Sequence, residues 1–227
     1  MVVATCVLWL PVFLFCCLLA LSFNGLPVFY ISLRRHYKES SVRLIKFRTM
    51  TRNAEKVANR NTIPVDGQRF LNIPIESPLY TPLGRYFERL FLTELPQVFL
   101  VIAAKMTIIG NRPLPKNIVD LLAADFPHVN DRFLIPGGLT GPVQLVGRES
   151  LSDEMRLALE IQYCLVCRDA YTPKLDFMIL LYTVMIALRL RPHLTPSEVE
   201  ARVLDWSSAD RLQLQIPKLA QLASRQP

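Results

Sequence analysis

The first thirty residues carry no Asp, Glu, Lys or Arg, although these types make up 20% of the 227-residue chain. An uncharged opening of that length is not the start of an ordinary globular domain. Directly behind it, between Arg34 and Arg60, stand nine basic residues (34, 35, 38, 43, 46, 48, 52, 56 and 60) against Glu39 and Glu55, a local charge of +7. The whole chain is also +7, so the other 17 basic and 17 acidic residues cancel. All the net positive charge therefore lies beside the apolar run. A nucleic-acid binder spreads its basic residues over a folded face with exposed aromatics. A polybasic run abutting an apolar one instead suits anionic lipid head groups or phosphorylated ligands. Nucleic acid is set aside as a partner, and anionic inner-membrane lipid is expected as one.

Val2 to Phe23 is 22 residues without a charge; at about 1.5 Å per residue a straight helix of that length just crosses a hydrocarbon core of roughly 30 Å. No basic residue precedes it and no small-residue cleavage site ends it, unlike a signal peptide. Pro11 removes a backbone hydrogen bond in the middle and should break the helix there. Two topologies stay open: a re-entrant helix that returns to the face it entered, or a Pro-kinked spanning one. In both, the basic residues that follow place the rest of the chain in the cytoplasm. The expected fold is α/β and mostly helical, a monotopic membrane protein with a cytoplasm-facing globular domain. Its expected parts are a membrane helix over 1–24, a domain over 25–192 that includes the polybasic membrane-proximal segment 34–60, and a C-terminal helix and tail over 193–227.

Within the domain, Pro27–Ile31 and Val42–Phe47 are short β-branched and aromatic runs that predict a hairpin. Residues 59–82 carry Pro64, Gly67, Pro74, Pro78 and Pro82 without periodicity and read as a loop. Leu83, Phe87, Leu90, Phe91, Leu95, Val98, Phe99 and Ile102 recur at steps of three and four, predicting one helix from Leu83 towards Lys105, kinked near Leu92–Pro96. Ser152 to Cys167 predicts a helix with acids at its positive end. The apolar run Phe177–Leu188 is too short to span; it is either buried or laid in the head-group layer with Arg189 and Arg191 at lipid phosphates. Thr195-Pro196-Ser197-Glu198 is a capping box that starts a last helix running to about Trp206. Cys6, Cys16 and Cys17 lie in the apolar segment, while Cys164 and Cys167 share a helix and read as small buried residues rather than a redox pair. His36, His128 and His193 are too scattered to build a zinc site with them.

Four short segments carry residue types suited to chemistry. KFRTM (46–50) offers Lys46 and Arg48 on one face of an extended stretch. LTELPQ (92–97) holds Glu94, IIGNRP (108–113) holds Arg112 in a turn, and LTGPVQLVGR (139–148) supplies Gly141, Gln144, Gly147 and Arg148. A magnesium-bound diphosphate needs such a set: a carboxylate for the hard cation, guanidinium and backbone N–H groups for phosphate oxygens, and glycines that let backbone come close.

In order and spacing these segments resemble the bacterial sugar transferase family, from the apolar segment to about Asp176. The resemblance rests on Pro11, Pro27-Val28-Phe29, Lys46–Met50, Leu83-Gly84-Arg85, Glu94-Leu95-Pro96-Gln97, Gly110 with Arg112-Pro113, Thr140-Gly141 with Gln144, Gly147 and Arg148, and Leu175-Asp176-Phe177. It implies a monotopic phosphoglycosyl transferase of the bacterial inner membrane, initiating exopolysaccharide, capsule or lipopolysaccharide. Such an enzyme moves a sugar phosphate from a nucleotide diphosphate sugar to polyprenyl phosphate through a covalent phosphosugar on an Asp-Glu dyad. Carried over residue by residue, Glu94 is the Mg2+ ligand, Arg112, Gln144 and Arg148 hold phosphate, and Lys46 and Arg48 lie near the donor. Thr93 occupies the nucleophile position.

The chain departs from the family pattern at several points. Thr93 stands where Asp is expected, and a neutral hydroxyl needs a base to become a nucleophile. Glu88 and Lys105 fill a commonly basic and a commonly acidic position. Asn111 replaces the first Pro of the GPRP motif, Pro136-Gly137-Gly138 stands for Arg-Pro-Gly, and Pro142 for a Trp. A second reading follows: a catalytically silent homologue that binds a nucleotide sugar, a lipid phosphate or an active partner as scaffold or regulator. A protein that binds only acidic lipid would explain the polybasic run but not the later motifs. Sugar, nucleotide, pathway and a homodimeric state are left open, as is whether Met1 is the native start.

Overall fold

The computed structural model describes residues 6–52, 54, 75–147 and 151–209. The chain is mixed α/β and mostly helical. It divides into two compact units, the first drawn from Met1–Leu33, Val42–Val65 and Leu71–Lys105, the second chiefly from Arg34–Ser41 and Met106–Pro227.

In the first unit, α1 runs over Cys6–Asn24. The expected break does not occur: the helix is continuous through Pro11. Proline forfeits a single N–H donor, here the one aimed at Val7, and the turns on either side keep theirs. Gly25 ends the helix in the left-handed conformation (φ +66°), its N–H donating to the Leu21 carbonyl at 3.1 Å, as C-terminal glycines do. Small Cys16 and Ala20 are buried against Phe47 and Phe87. Val7, Leu14, Phe15, Leu18 and Phe23 are exposed. Among the described residues no helix is long and apolar enough to cross a membrane.

The predicted hairpin is present and longer than expected: β1 (Phe29–Tyr37) and β2 (Ser40–Phe47) meet at Lys38, whose φ is +44°. At its base, Phe13, Phe29, Phe47 and Phe87 form an aromatic core, with Phe47 and Phe87 edge to face at 5.2 Å. Such pairs add a directional preference to the burial of apolar area.

The single kinked helix expected over 83–105 is three pieces. The first, α2 (Pro82–Arg89), begins at Thr81, whose hydroxyl accepts from the Gly84 N–H at 2.9 Å. Phe91 then turns left-handed (φ +57°), a 3-10 turn spans Leu92–Gln97, and α3 covers Val98–Ile102. A side chain larger than hydrogen at 91 is strained in that region, and Pro96 cannot donate within the turn. The apolar spacing misled because Leu83, Phe87, Leu92 and Leu95 all join one cluster without sharing one helix.

The second unit is built on a short parallel pair, β3 (Thr107–Ile109) with β4 (Gly138–Thr140), in register Thr107 to Gly138 and Ile109 to Thr140. Around it lie α4 (Lys116–Asp125), a 3-10 turn at Val129–Phe133, α5 (Pro142–Val146), α6 (Asp153–Asp169), α7 (Pro173–Ala187) and α8 (Pro196–Trp206). The predicted starts of α6 and α8 hold: Ser152 caps the Met155 N–H at 3.2 Å, and the Thr195–Glu198 capping box is formed in both directions. The apolar run Phe177–Leu188 is buried on one side and exposed on the other. Leu175, Ile179 and Tyr182 of α7 are buried, while Phe177, Leu181, Val184 and Leu188 are exposed. Most of the loop expected over 59–82, the end of the polybasic segment and the tail after Ala209 lie outside the described residues.

Candidate functional site

Four of the seven residues singled out in the sequence, Lys46, Arg48, Thr93 and Glu94, belong to the first unit; Arg112 and Gln144 belong to the second. Arg148 lies outside the described residues.

The segment KFRTM leaves β2 at Phe47 and is fixed from three sides. Phe47 enters the aromatic core. Thr49 meets α2: its carbonyl accepts from the Thr81 N–H at 3.0 Å, and its hydroxyl donates to the Glu88 carboxylate at 3.3 Å. Gly84 permits this approach, since a Cβ there would lie 2.0 Å from the Thr49 oxygen. Lys46 is half-buried with its ammonium 5.2 Å from the centre of the Tyr30 ring. The two basic side chains do not share one environment: Arg48 is buried, and its guanidinium donates to the carbonyls of Asn24, Gly25, Pro27 and Met50. Burial, with Arg52 nearby, lowers its pKa from the usual arginine value.

Thr93 and Glu94 sit in the 3-10 turn between α2 and α3. Leu92 and Leu95 on either side pack on the cluster that holds Phe47, so the two motifs are anchored to one core. Thr93 is 2% exposed, and its hydroxyl has no hydrogen-bond partner among the described residues. The same holds for the Nε2 of Gln97, also 2% exposed. A buried polar group left unsatisfied costs about 1–3 kcal/mol. Among the described residues no base is bonded to the Thr93 hydroxyl, so none of them raises its nucleophilicity. Glu94 is half-buried. Among the described residues no group of three or more His, Cys, Asp or Glu could hold a metal ion. Mg2+ does not require one: a single carboxylate with water and phosphate oxygens suffices, which fits the donor chemistry of Glu94.

In the second unit the two glycine turns lie backbone to backbone. Gly110 N–H donates to the Thr140 carbonyl at 2.7 Å and Gly138 N–H to the Asn111 carbonyl at 3.0 Å; a Cβ on Gly138 would meet the Gly110 nitrogen at 2.3 Å. The loop of Arg112 and the start of α5, with Gln144 beside Gly141, are thereby brought together. Beneath them is a buried network absent from the sequence reading. Arg132 donates from Nε to Glu160 at 2.6 Å and from Nη2 to the Arg112 carbonyl at 2.9 Å. Arg156 Nε lies 3.6 Å from the other Glu160 oxygen. Asn111 shares its amide N–H groups among the carbonyls of Arg132 (3.2 Å) and Glu160 (2.8 Å) and the Cys164 sulfur (3.1 Å). Burial pushes the Cys164 and Cys167 thiols up to about 12, which agrees with reading them as structural.

A model of the bacterial sugar transferase family matches residues 1–190. The exopolysaccharide production protein ExoY of Rhizobium meliloti is 31% identical over 162 residues, covering 69% of this chain and 70% of the relative. Its namesake from Sinorhizobium fredii is 30% identical over 159 residues, covering 67% and 68%. The UDP-N-acetylgalactosamine-undecaprenyl-phosphate N-acetylgalactosaminephosphotransferase of Aeromonas hydrophila is 26% identical over 163 residues, 71% of this chain but 36% of that longer protein. The chain belongs to the bacterial sugar transferase family. Its relatives thus include both exopolysaccharide production proteins and an undecaprenyl-phosphate sugar phosphotransferase.

Proposed function

We propose that this protein moves a sugar phosphate from a nucleotide diphosphate sugar to polyprenyl phosphate at the bacterial inner membrane, in the initiation of an exopolysaccharide, capsule or lipopolysaccharide. The observation that carries the reading is the retained Glu94, held in a 3-10 turn on the core that also anchors Lys46–Thr49. The paired glycine turns that carry Arg112 and Gln144 add to it.

Glu94 would hold Mg2+, which offsets charge on phosphoryl oxygens when bound. Arg112 and Gln144 supply donors to phosphate oxygens. Lys46 contributes a cation on the donor side. The uncharged α1, with its exposed apolar side chains, and the basic residues behind it suit attachment to anionic lipid, with the globular part in the cytoplasm. In that arrangement a soluble donor and a lipid acceptor meet in one place.

A second reading is favoured by one specific observation, the buried Thr93 hydroxyl with no partner. It makes the chain a silent homologue that binds nucleotide sugar or lipid phosphate without turnover. Purified protein in nanodiscs, given labelled UDP-sugars, Mg2+ and undecaprenyl phosphate, decides between them. Release of UMP supports transfer. Binding of the UDP-sugar without UMP supports the silent homologue.

A further inference from the structure

Helix α1 has no basic residue in its last turn, so nothing within it faces the negative end of its dipole or takes up its last carbonyls. The missing cation comes from Arg48. From beyond the end of β2 its Nε donates to the Pro27 carbonyl at 2.7 Å, Nη2 to those of Asn24 and Gly25, and Nη1 to that of Met50 at 3.4 Å. The main chain of the same residue returns the grip. Its N–H donates to the Val28 carbonyl at 2.9 Å, and its carbonyl accepts from Asn24 Nδ2 at 3.0 Å. Arg52 adds a bond to the Leu26 carbonyl.

We propose that Arg48 is the positioning residue for α1, a clamp that fixes how the helix joins the first unit, and that it is not a ligand of the donor phosphates. A guanidinium has five N–H donors; the bonds to Pro27, Met50, Asn24 and Gly25 use all but one. Bidentate capture of a phosphate needs two. The side chain is also buried, whereas a donor that comes and goes needs an accessible cation. Thr49, the next residue, carries α2 through Thr81 and Glu88. Arg48-Thr49 is therefore the joint between the exit of α1 and the helix that leads into the Thr93–Glu94 turn. The inference rests on the proposed function only where it names donor phosphates as the ligand that Arg48 leaves to others.

The test uses the full chain in detergent with both tryptophans replaced biosynthetically by 5-fluorotryptophan. Trp9 on α1 lies edge-on to Phe99, ring centres 5.4 Å apart, and Trp206 is buried in the second unit. Fluorine NMR then reads α1 and the second unit separately. In Arg48→Gln the Trp9 signal should shift or broaden while that of Trp206 stays in place. Arg48→Lys, which keeps the charge but not the fork, should displace Trp9 less. The dissociation constant for UDP with Mg2+ should stay within about twofold in both, since no phosphate contact is removed. An unmoved Trp9 signal in both variants, or a tenfold or larger loss of UDP affinity in Arg48→Lys, overturns the proposal. Absence of UDP binding by the unsubstituted protein counts against the proposed function alone, because the Trp9 signal needs no nucleotide.

Discussion

Thr93 and Asn111 are both departures from the pattern the chain resembles, and both are buried, yet their surroundings treat them differently: among the described residues Asn111 finds partners for its amide nitrogen and leaves only its Oδ1 without one. The amide N–H groups of Asn111 reach two backbone carbonyls and a thiol sulfur. They tie the Arg112 loop to α6 and to the 3-10 turn that carries Arg132. The Thr93 hydroxyl meets no partner at all among the described residues, and Gln97 Nε2, in the same turn, is likewise without one. A substitution that has been absorbed into a network is part of the fold. One whose single side-chain polar atom has no partner among the described residues, as in Thr93, adds no bond to the fold.

Perturbing the absorbed side should have the largest effect. Glu160→Leu removes the carboxylate that pairs with two buried guanidiniums, Arg132 and Arg156, at 2.6 and 3.6 Å. Breaking a buried ion pair from one side costs about 3–5 kcal/mol, to be read as a lowered midpoint in chemical denaturation. Asn111→Leu should cost about 1–3 kcal/mol in the same assay, because the Arg132 and Glu160 carbonyls lose their donor. Thr93→Val removes only an unsatisfied hydroxyl at constant shape, so stability should be unchanged or rise by up to ~1 kcal/mol. A loss larger than that of Asn111→Leu would show that Thr93 is the integrated residue and would reverse the comparison. The smallest signal concerns Cys164, whose thiol burial holds at about 12. At pH 8 the thiolate is about one part in ten thousand, so alkylation of the native protein should be negligible and should appear only on unfolding.

Local rules carried much of this far. The capping box at Thr195, the Ser152 cap, the hairpin strands and the buried reading of Cys164 were legible because each depends on residues close in the chain. The broken helix after Arg89 was not, since one apolar cluster can collect side chains from three short pieces with the same spacing as a single helix. The burial of Gln97 in the same turn has no local signature in the sequence. The bonds of Arg48 are not legible in the sequence, because three of its four carbonyl partners, Asn24, Gly25 and Pro27, lie more than twenty residues earlier, which no side-chain pattern records. The Arg132–Glu160–Asn111 network joins positions 21 to 49 residues apart and had no local signature either.

The proposed transfer depends most directly on Glu94 and on a native chain that turns over with threonine at position 93. UMP release from a labelled UDP-sugar, with Mg2+ and undecaprenyl phosphate in nanodiscs, should be measured side by side for the unsubstituted protein, Glu94→Ala and Thr93→Asp. The account predicts release by the unsubstituted protein and its loss in Glu94→Ala. Release by Thr93→Asp alone, with none from the unsubstituted chain, would contradict it and identify a silent member of the family.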